Sequence, residues 1–302
     1  MNNSRPYDYA HTGETIGALL KRNPMLKMQA LGKSVLGREI PLLSIGDPRA
    51  PSVLYVGTHH GMEWITTALL LTFVEDFCRL AKTERHVYGI RPSCVVKNRC
   101  LYFVPLLNPD GADIQIHGAA AGRDQAERLI HYNGGSMDFS SWQANAKGVD
   151  LNHNYDAGFS AYKKLERERG IYGGAPTRYS GEYPESEPET SALAGFIRRS
   201  PTIRMVITLH TQGEEIYYSS GDYVPPAAAR IASLFGRMTG YRVAKAEGMA
   251  AYGGLTDWYI RTYNRTSFTF ECGRGKNPLP QEQANDIYED IREALFTAPL
   301  FV

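Results

Sequence analysis

Long apolar runs are missing from this 302-residue sequence. No stretch approaches the roughly 20 residues needed to cross a bilayer, and the longest, around "ALLLTF", falls inside a segment with helical spacing. A charge excess is missing as well. Lys and Arg number 33 against 32 Asp and Glu, a formal net charge of +1, which gives no electrostatic case for nucleic acid or an anionic membrane as main partner. Cysteine is scarce: Cys78, Cys94, Cys100 and Cys272 make no Cys-x-x-Cys pair and no dense framework. The opening residues, "MNNSRPYDYAHTGETIGALLKRN", lack the basic start and continuous apolar block of a secretion signal. A reducing, cytoplasmic location is the expectation. Internal repeats, low-complexity tracts and an inter-domain linker are also absent.

What is present reads as an ordinary folded chain, 43% hydrophobic and 22% charged. Apolar patterning predicts strands in "MQALGKSVLGREIPLLSIGD" (a hairpin turning near Gly37), at 52–58, in "CLYFVPLL", "RMVITLH", "EIYYSS" and "TSFTFEC". Helical spacing marks 12–22 with Thr12 as N-cap, 63–82, "SEPETSALAGFIRRS", "PPAAARIASLFGRMTG" and about 280–297. Residues 111–185 are rich in Gly, Ser, Asn and Tyr with little periodicity, and so long an irregular region usually carries function. Strands alternating with helices predict one α/β domain over residues 1–302, with 1–24 as a helical lead-in. Its mixed, largely parallel sheet should be covered on both faces.

The chemistry starts at "THHGMEWITT". His60 and Glu63 stand three residues apart where a strand hands over to a helix, and open α/β sheets bind ligands beyond their strand ends. On spacing alone the pair is either half of a metal site or two polar residues where a strand stops. His210 also ends a strand, "RMVITLH", whereas His11, His86, His117 and His131 stand in polar, loop-like or terminal contexts and read as surface residues. Two imidazoles and a carboxylate are the three protein ligands of a catalytic zinc site, leaving a fourth position open. Glu271 closes the apolar strand "TSFTFE", where a carboxylate without function is expensive to bury. It is the candidate base; pairing with Arg274 or Arg265 is the plainer reading.

His60-Gly-Met-Glu63, Asn108-Pro-Asp-Gly111, Gly148-Val-Asp-Leu-Asn152, "TLH" ending at His210 and "FTFE" ending at Glu271 follow one another in this order, with "YPESEPET" and "GGLTDW". In that order and context they resemble the zinc metallocarboxypeptidases of the carboxypeptidase A-like superfamily, from about residue 25 to the C-terminus. The resemblance implies that His60, Glu63 and His210 bind one Zn²⁺ and that Glu271 is the general base. It implies too that His59 is a supporting or packing residue.

The sequence departs from this family where arginines grip the substrate carboxylate. Met62 and His153 replace two of them, Gln143 stands where Arg or Lys is usual, and the mobile tyrosine falls on Met249 with Tyr252 nearby. Retention of all ligands and the base argues against a decayed homologue. The segments "WQANAKGVDLNHNY" and "ECGRGKNPLP" look most like the branch that cleaves γ-D-glutamyl–L-diamino acid bonds in murein peptides, often before meso-diaminopimelate. On this reading a small murein peptide is the partner. Asn152 orients it, Gln143 and His153 are candidates for oxyanion stabilisation, Thr256 floors the side-chain pocket and Arg274 meets a substrate carboxylate. Lys276 is a second such cation, and Glu214 and Glu215 are candidates for an amine. The alternatives are a conventional carboxypeptidase, a superfamily deacylase acting on small acyl amino acids, and a peptide-binding module without turnover.

Overall fold

A computed structural model describes residues 5–302. Eight strands of the described residues form one sheet: β1 (Lys27–Lys33), β2 (Glu39–Gly46), β3 (Ser52–Val56), β4 (Cys100–Val104), β5 (Ile203–His210), β6 (Glu215–Tyr217), β7 (Arg242–Ala244) and β8 (Thr266–Glu271), in the order β1-β2-β4-β3-β5-β8-β6-β7. The four central strands β4, β3, β5 and β8 run parallel, and the antiparallel β2 and β6 flank them. Parallel strands buried on both faces should be apolar throughout. β3 and β4, "SVLYV" and "CLYFV", are buried at every position.

Among the described residues ten helices accompany them: α1 (Tyr9–Arg22), α2 (Ile65–Lys82), α3 (Pro92–Asn98), α4 (Pro109–His117), α5 (Ala126–Tyr132), α6 (Phe159–Glu168), α7 (Pro188–Arg199), α8 (Ala228–Thr239), α9 (Leu255–Tyr263) and α10 (Ala284–Thr297). Alternation along β3 assigns the two faces. Val53 and Tyr55 join the larger core with α1, α2, α8 and α10, while Leu54 and Val56 join a second core with α7 and α9. A sheet sandwiched in this way is the α/β architecture that the alternation of elements implies.

Several details differ from the sequence reading, which also placed no element at α3, α9 or β7. α1 begins at Tyr9, because Asp8 caps it by accepting the His11 N–H at 2.7 Å; Thr12 lies inside the helix and is buried. His11 is buried too, stacked on Tyr7 and bonded through Nδ1 to the Pro6 carbonyl. Residues 111–185 hold most of α4 and all of α5 and α6, short helices whose polar sequences mask their period. The hairpin between β1 and β2 does turn at Gly37, whose φ of +79° is easiest for glycine.

Candidate metal centre and catalytic cavity

β3, β5 and β8 lie side by side and parallel, so their C-terminal ends share one edge of the sheet. The chain leaving β3 turns at Thr58, a non-glycine at φ +50° held by the Thr66 and Thr67 hydroxyls, and carries His60 and Glu63 over that edge. His210 and Glu271 end their strands and pair in register. The Asn108-Pro-Asp-Gly turn supports this edge. Asn108 caps α4 through Gly111 N–H and donates its amide to the carbonyls of His59 and Gln143. Gly61 packs so tightly here that a Cβ would sit 2.3 Å from the Gly111 carbonyl oxygen. Both motif glycines therefore serve backbone contact.

Glu63 stands between two imidazoles: its Oε1 is 2.9 Å from His60 Nδ1 and its Oε2 is 3.0 Å from His210 Nδ1. One ligand atom from each of the three lies within 4.8 Å of the others. His60 Nε2 faces Asp150 Oδ1 at 3.2 Å, and an ionised carboxylate only accepts, so Nε2 carries the proton. Nδ1 then meets Glu63 either with a second proton or, where a cation lies between the two, with its lone pair on that cation. Burial opposes a charged His60, but Glu63 and Asp150 outweigh it and raise its pKa well above the ordinary value. Burial likewise opposes ionisation of Glu63, yet the two histidines hold it at about 2. The donor set fits zinc with one position left open. His59 supports it, stacking on His210 and bonding to the Tyr155 hydroxyl.

The ligands open into a cavity of about 470 Å³. Met62, Gln143, Asn152, His153, Met249, Thr256 and Glu271 all line it, whereas Tyr252 does not. The Thr177 hydroxyl donates to Gln143 Oε1, leaving the Gln143 Nε2 hydrogens free to point at substrate. His153 has the opposite polarity. Its Nδ1 is 2.9 Å from the Tyr252 carbonyl, which only accepts, so Nε2 holds a lone pair and cannot donate to an oxyanion while the ring is neutral. Burial lowers the His153 pKa and favours that neutral form. Asn152 accepts from Leu255 N–H through Oδ1 and keeps its amide donors.

Thr256 bonds to Thr269 at 2.9 Å, and Ser267 and Thr208 extend the hydroxyl network. Arg274 does not reach this cavity. It is exposed and paired with Glu214, while Glu215 pairs with Arg242 and Tyr217; Lys276 is likewise outside the lining. Lining residues that went unassigned in the sequence include Asp150 and Asp257, which lie inside quoted motifs, and Arg178 and Ser219. Burial raises the Glu271 pKa to about 7, with Glu63 adding to it against the two histidines. A carboxyl poised there suits proton transfer near neutral pH.

A zinc carboxypeptidase family model matches residues 14–294. The chain belongs to the zinc carboxypeptidase family. It is accordingly a zinc metallopeptidase, and His60, Glu63 and His210 form a site able to hold the metal. Among relatives of this zinc carboxypeptidase is γ-D-glutamyl-L-diamino acid endopeptidase 1 of Lysinibacillus sphaericus, 33% identical over 302 residues, covering 100% of this chain and 74% of the relative. Bovine thrombin-activatable fibrinolysis inhibitor, solved with a tick carboxypeptidase inhibitor, shares the fold at TM-score 0.76 and 21% identity, covering 100% and 98% of the two chains. Murein-tripeptide amidase from Escherichia coli O157 aligns at TM-score 0.54 and 21% identity, covering 89% and 90%.

Proposed function

We propose that this zinc peptidase hydrolyses the γ-D-glutamyl–L-diamino acid bond of small murein peptides, in the reducing compartment that its cysteine usage suggests. The observation that carries the reading is the combination of an intact metal and base constellation with a polar side-chain pocket. That pocket is walled by Thr256, Thr269, Ser219 and Asp257. Asp257 Oδ1 and Ser219 Oγ are buried, and among the described residues neither has a hydrogen-bond partner. Unsatisfied buried acceptors are costly unless a ligand completes them, and an ammonium group is the complementary ligand. A diamino acid carries one at its far end. The 33% identical endopeptidase supports the same substrate class.

Zinc bound by His60, Glu63 and His210 would supply a Lewis acid for the scissile carbonyl and the attacking water. Glu271 takes a proton from that water as its oxygen joins the carbonyl carbon. It then delivers the proton to the amine nitrogen as the C–N bond breaks. Gln143 Nε2 donates to the developing oxyanion, a contact of a kind worth on the order of 10²–10³ in rate. Asn152 orients the peptide through its amide, and His153, as an acceptor, faces a substrate N–H.

The test is hydrolysis of L-Ala-γ-D-Glu-meso-diaminopimelate against acylated amino acids and blocked dipeptides ending in Phe or Lys. The tripeptide should react at least roughly a hundredfold faster in kcat/KM, about 2.7 kcal/mol of transition-state binding. Comparable rates on the dipeptides would return the enzyme to conventional carboxypeptidases, and faster rates on acylated amino acids to deacylases.

A further inference from the structure

The cavity holds one permanent cation that the mechanism above leaves unused. Among the described residues Arg178 is the sole Lys or Arg lining it. Its side chain is exposed, and among the described residues its guanidinium has no ion pair and no hydrogen bond. The backbone of Arg178 is fixed on both sides. Its N–H donates to Asp150 Oδ2 at 3.0 Å, and its carbonyl accepts from the Tyr162 hydroxyl at 3.0 Å. Its φ of +66° lies in the left-handed region that arginine seldom adopts. Strain held rigid by its surroundings concentrates at ligand clamps. The preceding Thr177 bonds to Gln143, so the same loop positions the donor expected at the scissile carbonyl.

A γ-glutamyl bond differs from an ordinary peptide bond in one charged group. The residue giving the acyl carbon keeps its α-carboxylate, which an α-linked residue spends in the bond itself. A cation on the acyl side of the scissile bond therefore distinguishes a γ-glutamyl donor from α-linked residues without a side-chain carboxylate, and guanidinium matches a carboxylate with two parallel hydrogen bonds. Resting on the function proposed above, we infer that Arg178 binds the free α-carboxylate of the γ-linked glutamyl residue and thereby favours it over acyl residues that carry no free carboxylate.

The experiment compares L-Ala-γ-D-Glu-meso-diaminopimelate with two amidated forms, one blocked at the glutamyl α-carboxyl and one at the far carboxyl of the diamino acid. The wild-type, zinc-loaded enzyme should favour the free acid over the glutamyl amide by about tenfold or more in kcat/KM, and added salt should narrow the gap. In Arg178→Gln that ratio should collapse towards one while zinc stays at one equivalent per chain; Arg178→Lys should restore part of it. Equal loss by Arg178→Gln on all three peptides, or a loss that follows the diamino-acid carboxyl, overturns the assignment. A wild type that cleaves the free acid and its glutamyl amide equally well overturns it too, with the proposed function intact. A wild type that cleaves no murein peptide removes both.

Discussion

Glu271 carries the sharpest consequence at the scale of single residues. Its carboxylate lies beside the metal ligands yet is not among them, so base and ligand functions separate cleanly in one variant. Glu271→Gln keeps the shape of the side chain but cannot accept the water's proton. It should fold, retain one zinc by elemental analysis, and lose about 10²–10⁴ in kcat. Turnover within a few-fold of wild type would remove Glu271 from the mechanism. The residue scale is also where sequence reading succeeded unevenly. The metal-site residues were legible because each lies at or just beyond a strand end inside a recognisable motif, and the same holds for the place of Glu271 beside them. The polarity of Gln143 and His153 was not, since it depends on Thr177 and Tyr252, residues 34 and 99 positions away. Arg274 follows Glu271 closely in sequence but turns away to Glu214, while Arg178 reaches the cavity from a region without periodicity.

Between elements, the buried carboxylate of Glu189 joins the first turn of α7 to the β1–β2 hairpin. Its Oε1 accepts the Val35 N–H at 3.1 Å, and it is fully buried. Burial, with Asp110 adding to it, raises the Glu189 pKa to about 8 from an ordinary 4.5. The folded protein thus binds a proton here that the unfolded chain has released. The resulting stabilisation is fully present below pH 4.5 and is lost as pH rises through about 8. The loss is on the order of a few kcal/mol. Glu189→Gln, which cannot ionise, should shrink the difference in urea-unfolding free energy between pH 5.5 and pH 8.5. An unchanged difference would place the pH dependence elsewhere. None of this was visible in "SEPETSALAGF", whose spacing shows a helix and nothing of what Glu189 meets. The strands and long helices were legible because their periods are strong. The short helices α3, α5 and α6 and the three-residue β7 were not, since their place is set by packing rather than by their own pattern.

For the whole molecule, the sheet order brings the ends of β3, β5 and β8 together although Val56, His210 and Glu271 lie far apart along the chain. Asp150 stands at the centre of that convergence with its two oxygens divided: Oδ1 faces the ligand His60, and Oδ2 holds the loop that presents Arg178. One rigid group with two dependents makes them thermodynamic partners. A metal that fixes His60 also fixes the orientation of Asp150, and with it the loop; linkage then requires a ligand on the loop to tighten the metal by the same factor. Zinc removal should therefore speed amide hydrogen exchange across residues 174–180 more than in β3 or β5, and a bound, uncleaved substrate analogue should slow zinc loss to a chelator. Equal exchange with and without zinc would show the two sites to be energetically independent. If they are coupled, substrate guards the enzyme's own metal: when zinc is scarce, the molecules holding a peptide on the loop are the last to lose it.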